Sequence, residues 1–180
     1  MIPDFTPTGV LPPYLGDPAQ GQRAPYPTTT AELVARLGDT PHRLDIIEGL
    51  LRYRVALRAA GFDRGVQWLD GSFVEQKVPN DIDVVTWVNR PMDIPAQQAL
   101  LQALPFLFDS QESKARFKTD AYLMNLASLQ DDPLMLITYW YGLFSHQRVT
   151  DRWKGLLAVA LDDVASDEAA ASMIAARRGA

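Results

Sequence analysis

Two aspartates one residue apart, Asp81 and Asp83, stand at the start of an apolar run that continues to Val88. Side chains alternate between the two faces of a β-strand, so residues two apart share a face. The pattern predicts both carboxylates on one face, with Ile82 and Val84 anchored in the core. Two adjacent carboxylates repel each other unless a cation lies between them. Mg²⁺ (or Mn²⁺) is the natural candidate, because it takes oxygen ligands and leaves places for water and phosphate.

Two further features would complete a site around this pair. Asp120 begins a third apolar segment, AYLMNL, and on a neighbouring strand it would supply a third carboxylate for two metal ions. Gly71 and Ser72 follow a short predicted strand, where glycine lets the backbone approach a phosphate and the hydroxyl can donate to it. A triphosphate would then lie between the Gly-Ser turn and the aspartates, and the metals would activate an attacking hydroxyl and stabilise the pyrophosphate leaving group.

Each of these features also has a plain structural explanation. Asp-x-Asp pairs are common in turns and helix caps, and a Gly-Ser dipeptide alone is common in loops. Here the two occur together, with predicted strands on both sides. Haloacid-dehalogenase-type phosphatases and many glycosyltransferases place the pair after an apolar strand. In this chain a polar loop precedes the pair and the apolar strand follows it, which favours the nucleotidyltransferase arrangement.

Basic residues near these motifs are candidate phosphate ligands. In the segment HQRVTDRWKG, Arg148, Arg152 and Lys154 would hold a triphosphate or an RNA acceptor. An exposed turn is the alternative for this segment, and the sequence leaves both open. Lys77, in the loop that follows the Gly-Ser turn, is a further candidate. Glu75, in the same loop, could reach a metal ion or a substrate hydroxyl, but we interpret it as a solvated residue.

Other conspicuous residues have structural interpretations. Three basic residues precede Asp120 and would line the approach to it, but a surface hairpin is the plainer interpretation: Lys114, Arg116 and Lys118. Tryptophans in predicted strands and helices are core residues more often than base-stacking platforms, so we predict core positions for Trp68, Trp87, Trp140 and Trp153.

Composition narrows the functional class. The chain has 180 residues, 47% of them hydrophobic and 22% charged, which is typical of a globular protein. It contains no cysteine, which excludes disulfides and thiolate metal sites, and its two histidines are far apart in sequence. The net charge of −5 argues against a mainly electrostatic nucleic-acid coat. We expect no signal peptide and no membrane span, and a cytoplasmic location.

The elements that would position the site follow from periodicity and capping residues. Residues 1–28 carry seven of the thirteen prolines and are predicted to form an extended arm, pinned by Val10, Leu11, Tyr14 and Leu15. Residues 29–180 are predicted to form one domain. Thr29 and Thr40 would cap two helices that end at Gly38 and Gly61, and Ile47, Leu51, Val55 and Ala59 would form the core stripe of the second. Further helices are predicted over 96–104, 134–146 and 167–178, and strands over 66–69, 83–88, 121–126 and 156–161. This mixture indicates an α/β or α+β fold.

The central segment DGSFVEQKVPNDIDVV resembles the Gly-Ser … Asp-x-Asp signature of the nucleotidyltransferase superfamily with the DNA-polymerase-beta-like fold. The whole chain is similar to a group of uncharacterised bacterial nucleotidyltransferase-like proteins. The shared motifs read here GVLPP in the arm, DGSFVE, PNDIDVV, and WKG at Trp153 to Gly155.

The resemblance implies a mixed, twisted sheet flanked by helices and a Mg²⁺-dependent transfer of a nucleoside monophosphate from a nucleoside triphosphate to an acceptor hydroxyl. By this resemblance Asp81 and Asp83, with Asp120, would bind metal, and Gly71 and Ser72 the triphosphate. The acceptor would be an RNA end, a protein or a small molecule. The alternative is a binding or regulatory module of a toxin–antitoxin or phage-defence pair, with little or no catalysis and a partner protein encoded next door.

Overall fold

The structure is a computed structural model that describes residues 1–127 and 132–179. Its strands are β1 (Tyr14–Leu15), β2 (Gln22–Arg23), β3 (Tyr26–Thr28), β4 (Val66–Asp70), β5 (Ile82–Val88), β6 (Thr119–Asn125) and β7 (Leu157–Ala160). Its helices are α1 (Thr30–Leu37), α2 (Pro41–Ala59), α3 (Ile94–Ala103), α4 (Ser110–Phe117), α5 (Pro133–Phe144) and α6 (Val164–Gly179).

A five-stranded mixed sheet forms the centre of the fold, in the order β3-β7-β4-β5-β6. Strand β4 is antiparallel to both of its neighbours, β5 and β7, whereas β6 is parallel to β5 and β3 is parallel to β7. Strands β1 and β2 form a separate antiparallel pair. The predicted mixed α+β class is confirmed.

Two threonines begin the first helices as their sequence positions predict. The Thr29 side chain accepts a hydrogen bond from the backbone N–H of Glu32, and the Thr40 side chain accepts one from that of Arg43. Each bond satisfies a donor that the first turn of a helix leaves free. Both predicted caps are therefore confirmed.

The predicted core stripe of α2 is wrong in its second half. Val55 and Ala59 are exposed, and the buried side chains there are Tyr53 and Leu57, with Leu50 one turn earlier. The buried face of the helix is turned away from the stripe that strict four-residue spacing selects, because α2 packs against both α4 and the sheet.

The predicted arm packs against the rest of the fold and joins the central sheet. Val10 and Leu11 are buried as predicted, whereas Leu15 is exposed. The last part of the arm forms β3, whose Tyr26 is fully buried at the sheet edge beside β7. The division of the chain into an arm and one domain stays a prediction.

The two faces of the sheet differ in chemistry. Ile82 and Val84 are fully buried, as predicted, on the face that also carries Gln67 and Thr86. On the opposite face, Trp68 of β4 lies 5.2 Å from Trp87 and 6.2 Å from Tyr141 of α5, measured between ring centroids. Helix α5 thus covers the aromatic part of the face that also carries Asp83.

Two structural interpretations of the sequence are wrong. Trp153 is nearly half exposed, so it is not a core residue. The basic segment before Asp120 forms helix α4 and not a hairpin, because Asp109 caps it by accepting hydrogen bonds from the backbone of Gln111 and Glu112. Lys118 then ends the helix in the left-handed conformation, with φ 57°.

No helix within residues 1–127 and 132–179 combines the length and the apolar character needed to cross a bilayer.

A buried ion-pair network joins α2, α6 and the sheet on the face away from Asp83. Arg54 of α2 is completely buried and its Nε donates to Asp167 Oδ1 at 2.9 Å, while Nη1 donates to Gln67 Oε1 at 2.6 Å. Arg58 also donates to Asp167, at 2.7 Å. A buried charge is tolerated only when it is paired and hydrogen-bonded.

We expect Arg54→Met to lower the free energy of unfolding by about 3 kcal/mol, because it leaves Asp167 buried with Arg58 as its remaining cationic partner. Urea unfolding followed by circular dichroism measures this change. Arg52→Met, an exposed position on the same helix, is the matched control and should change stability by less than about 0.5 kcal/mol. Equal losses in the two variants would contradict the role of the network.

Candidate active site

Three aspartates form a row across adjacent strands at one end of the sheet. The strand register pairs Asp70 of β4 with Asp83 of β5, and Asp83 with Asp120 of β6. Residues that are directly opposite one another on adjacent strands point to the same face. Asp81 stands two residues before Asp83 and completes the group. The structure therefore brings together all three predicted carboxylates and adds Asp70, which the sequence analysis did not select.

A cavity of about 540 Å³ opens over this row. Gly71 and Ser72 line it, and so do five carboxylates: Asp70, Glu75, Asp81, Asp83 and Asp120. Its basic lining residues are Lys77, Lys114, Arg148 and Lys154. Arg152 is not among the lining residues, so the structure does not bring this predicted phosphate ligand to the site. Arg148 of the same segment does reach the cavity.

Gly71 is required by the close approach of the turn to Asp83. It has a φ of +78°, a conformation that glycine adopts at no steric cost. A Cβ atom added at this position would overlap Oδ2 of Asp83. Gly71 begins a short 3₁₀ turn, Gly71–Val74.

Lys154 is buried beneath this turn. Its side chain is 2% exposed, and Nζ donates to Asp70 Oδ1 at 2.5 Å and to the Gly71 carbonyl at 3.5 Å. Burial raises the pKa of Asp70 to about 7, although the charge of Lys154 acts in the opposite direction. In this structure the predicted phosphate ligand Lys154 is thus bonded to a buried carboxylate and holds the Gly-Ser turn in place.

The interpretation of Glu75 as a solvated loop residue is wrong. Glu75 is 5% exposed; its Oε1 lies 3.5 Å from Lys154 Nζ, and its Oε2 lies 2.7 Å from Lys77 Nζ. Gln147 donates to Oε2 at 3.0 Å. The carboxylate of Glu75 is thus buried as the counter-charge of two lysines. Lys77, the predicted loop cation, lines the cavity and pairs with Glu75.

Lys114 is the cation nearest to the predicted metal-binding pair. Its Nζ lies 2.5 Å from Asp81 Oδ2 and 3.6 Å from Asp120 Oδ2, and the side chain is 42% exposed. The ion pair with Asp81 raises the pKa of Lys114. The sequence placed Lys114 on the approach to Asp120, but the preferred hairpin interpretation did not predict α4 beside the start of β6 or the contact with Asp81.

The carboxylate row is electrostatically strained at Asp83. Burial raises the pKa of Asp83 to about 6; Arg148 opposes this shift, whereas the charges of Asp120 and Asp81 add to it. The ionised form of Asp83 is therefore disfavoured in the folded protein, as expected for a carboxylate beside other carboxylates.

The carboxylate row offers oxygen donors to a divalent cation. Asp81 Oδ2 and Asp120 Oδ1 are buried atoms without a hydrogen-bond partner in the described part of the chain. Lys114 forms an ion pair with Asp81 Oδ2. No group of three or more His, Asp or Glu side chains among residues 1–127 and 132–179 is arranged to hold a metal ion as it stands. The oxygen donors fit Mg²⁺ in type, and Lys114 occupies the space between two of them.

Gly71→Ala should destabilise the protein through both backbone strain and overlap with Asp83. Gly16→Ala is the matched control, because Gly16 has a similar φ of +72° and open space around its Cβ position. We expect about 1 kcal/mol lost at position 16 from strain alone, and at least about 2 kcal/mol at position 71. Equal losses in urea unfolding would show that the contact with Asp83 has no energetic weight.

Asp83→Asn should stabilise the protein above pH 6. Between its unfolded pKa near 4 and its folded pKa of about 6, Asp83 stays protonated only in the folded state, so stability falls as the pH rises through this window. At pH 7.5 the substitution should add about 2 kcal/mol, and at pH 4 almost nothing. Urea unfolding at both pH values measures this. The exposed Asp63→Asn is the control, and a pH-independent effect of Asp83→Asn would contradict the assignment.

One similar solved chain comes from a structure of a tri-AMPylated HEPN toxin of Shewanella oneidensis in complex with MNT antitoxin. It is 18% identical over 73% of this chain and 87% of that chain, and its TM-score of 0.27 is too low to support an inference. Comparison with curated proteins found no match. Residues 3–160 match the model of the family of unknown function DUF6932, and the chain belongs to that family.

Proposed function

We propose that the chain is a Mg²⁺-dependent nucleotidyltransferase that moves a nucleoside monophosphate from a nucleoside triphosphate to an acceptor hydroxyl. One observation carries the proposal: Asp81, Asp83 and Asp120 line the same cavity as the Gly71–Ser72 turn. Strand pairing holds two of the carboxylates side by side despite their repulsion. Carboxylates held this close together favour the binding of a cation.

In this proposal Asp81, Asp83 and Asp120 hold the metal ions. Bound Mg²⁺ would supply a charge that activates the acceptor hydroxyl and neutralises the leaving pyrophosphate. The elevated pKa of Asp83 supports this role, because a carboxylate disfavoured by its neighbours gains most from a nearby cation.

The phosphates would lie along the Gly71–Ser72 turn. At Gly71 the position of a Cβ is filled by Asp83 Oδ2, so the glycine serves the close approach of the turn to that carboxylate. The Ser72 hydroxyl would donate to a phosphate. Lys77 and Arg148 line the cavity and would balance the charge of the triphosphate. Lys154 acts differently: it positions the turn through Asp70.

A second candidate function is a binding or regulatory module that recognises a partner protein, as in a toxin–antitoxin or phage-defence pair, with little or no catalysis. Two observations favour it. Lys114 neutralises Asp81 and Asp120 within the chain itself. Helix α5 exposes three large apolar side chains, Leu134, Met135 and Tyr139, which would suit a protein interface.

The test is transfer of label from each of the four nucleoside triphosphates, with Mg²⁺, to total RNA and to a protein extract. The double variant Asp81→Ala plus Asp83→Ala should lose more than about 100-fold in labelling. Substituting the hydrogen-bond partners of metal ligands already lowers activity about 10- to 100-fold, and this variant removes the ligands themselves. Asp63→Ala, an exposed carboxylate, should keep wild-type labelling. Labelling that persists in the double variant would refute the metal assignment.

The same experiment separates the two candidates. If the wild-type chain transfers no label to any acceptor, the module is favoured and the transferase proposal fails. A pull-down with the product of a neighbouring gene would then identify the partner, and Tyr139→Ser should weaken its binding.

A further inference from the structure

We propose that Lys114 is a built-in competitor for the divalent cation, which holds Asp81 and Asp120 until a bound triphosphate draws its ammonium group away. This inference rests on the proposed function and adds the order of binding. In the free protein Lys114 would compete with a metal ion for the carboxylates, so the metal ion would bind weakly. With the nucleotide bound, the triphosphate would attract Lys114, and the metal ion would bind strongly.

The first support is the position of the ammonium group. Lys114 Nζ contacts Asp81 Oδ2 at 2.5 Å and lies 3.6 Å from Asp120 Oδ2, so it stands between the two carboxylates that a metal ion would join. Both side chains are nearly buried, with 13% and 15% exposure. An ammonium group and a divalent cation cannot share this space.

The second support is that the backbone at Lys114 is fixed, whereas its side chain is flexible and partly exposed. Ser113, the preceding residue, is fully buried; its Oγ donates to the Thr119 carbonyl at 2.8 Å and accepts from the Ala121 N–H at 3.1 Å. These bonds clamp α4 to β6 on both sides of Asp120. The Lys114 side chain is 42% exposed on a flexible four-carbon stem.

The third support comes from relative strength. An ion pair whose lysine is this exposed is weak, because water screens it and ordering the side chain costs entropy. A triphosphate carries several negative charges, and Lys114 lines the cavity that also contains the Gly71–Ser72 turn. The lysine can therefore exchange the carboxylates for a phosphate without leaving the cavity.

The test compares Lys114→Gln with Lys118→Gln. Lys118 is 43% exposed, lies four residues along the same segment, and pairs with Asp45 outside the cavity. The two substitutions therefore remove the same charge from side chains of equal exposure. Mn²⁺ binding to the nucleotide-free proteins is measured by electron paramagnetic resonance. It is repeated with the α,β-methylene analogue of each of the four nucleoside triphosphates.

Without nucleotide, Lys114→Gln should bind Mn²⁺ about five- to tenfold more tightly than the wild type, and Lys118→Gln should stay within about twofold. With the analogue that the wild type binds best, this advantage should disappear and the analogue itself should bind Lys114→Gln more weakly. Equal Mn²⁺ affinity of wild type and Lys114→Gln, with binding still abolished by Asp81→Ala plus Asp83→Ala, would overturn the competitor role and leave the proposed function standing. Mn²⁺ binding that is absent, or independent of these aspartates, would overturn both.

Discussion

The structure depends on the register that sets Asp70, Asp83 and Asp120 side by side across three strands. Backbone hydrogen bonds of the sheet fix these positions, so the carboxylates cannot separate to relieve their repulsion. Two lysines of different exposure neutralise the carboxylates. Lys154 is buried against Asp70, and Lys114 contacts Asp81 from the solvent-exposed side. The arrangement of charge in the cavity follows from this one constraint.

The buried ion-pair network and the candidate site lie on opposite faces of the sheet. The network of Arg54, Asp167 and Gln67 joins α2, α6 and β4 on one face, and its charges are compensated within the protein. On the other face, burial raises the pKa of Asp83, and the neighbouring carboxylates add to this shift. Functional sites commonly hold such strain, and the stable remainder of the fold must offset it.

The sequence predicted those parts of the site that obey local rules. Strand alternation placed Asp81 and Asp83 on one face with Ile82 and Val84 buried, and side-chain chemistry selected the caps Thr29 and Thr40. The contributions of Asp70, Glu75 and Lys114 depend on contacts between distant elements. No periodicity encodes the pairing of Lys154 with Asp70, which are 84 positions apart. The phosphate-binding role of Lys154 stays a prediction.

The hairpin formed by β4 and β5 carries both the glycine turn and two of the aspartates. Asp70 and Asp83 form the pair of the hairpin next to its loop, so the sheet fixes one carboxylate before the loop and one after it. Within the connecting loop, Glu75 is buried against Lys154 and Gln147, and the carbonyls of Glu75 and Lys77 accept hydrogen bonds from Arg43. Variation among related chains would then concentrate at the exposed end of the loop, at Val78 and Asn80, where it would change the rim of the cavity and leave the carboxylates in place.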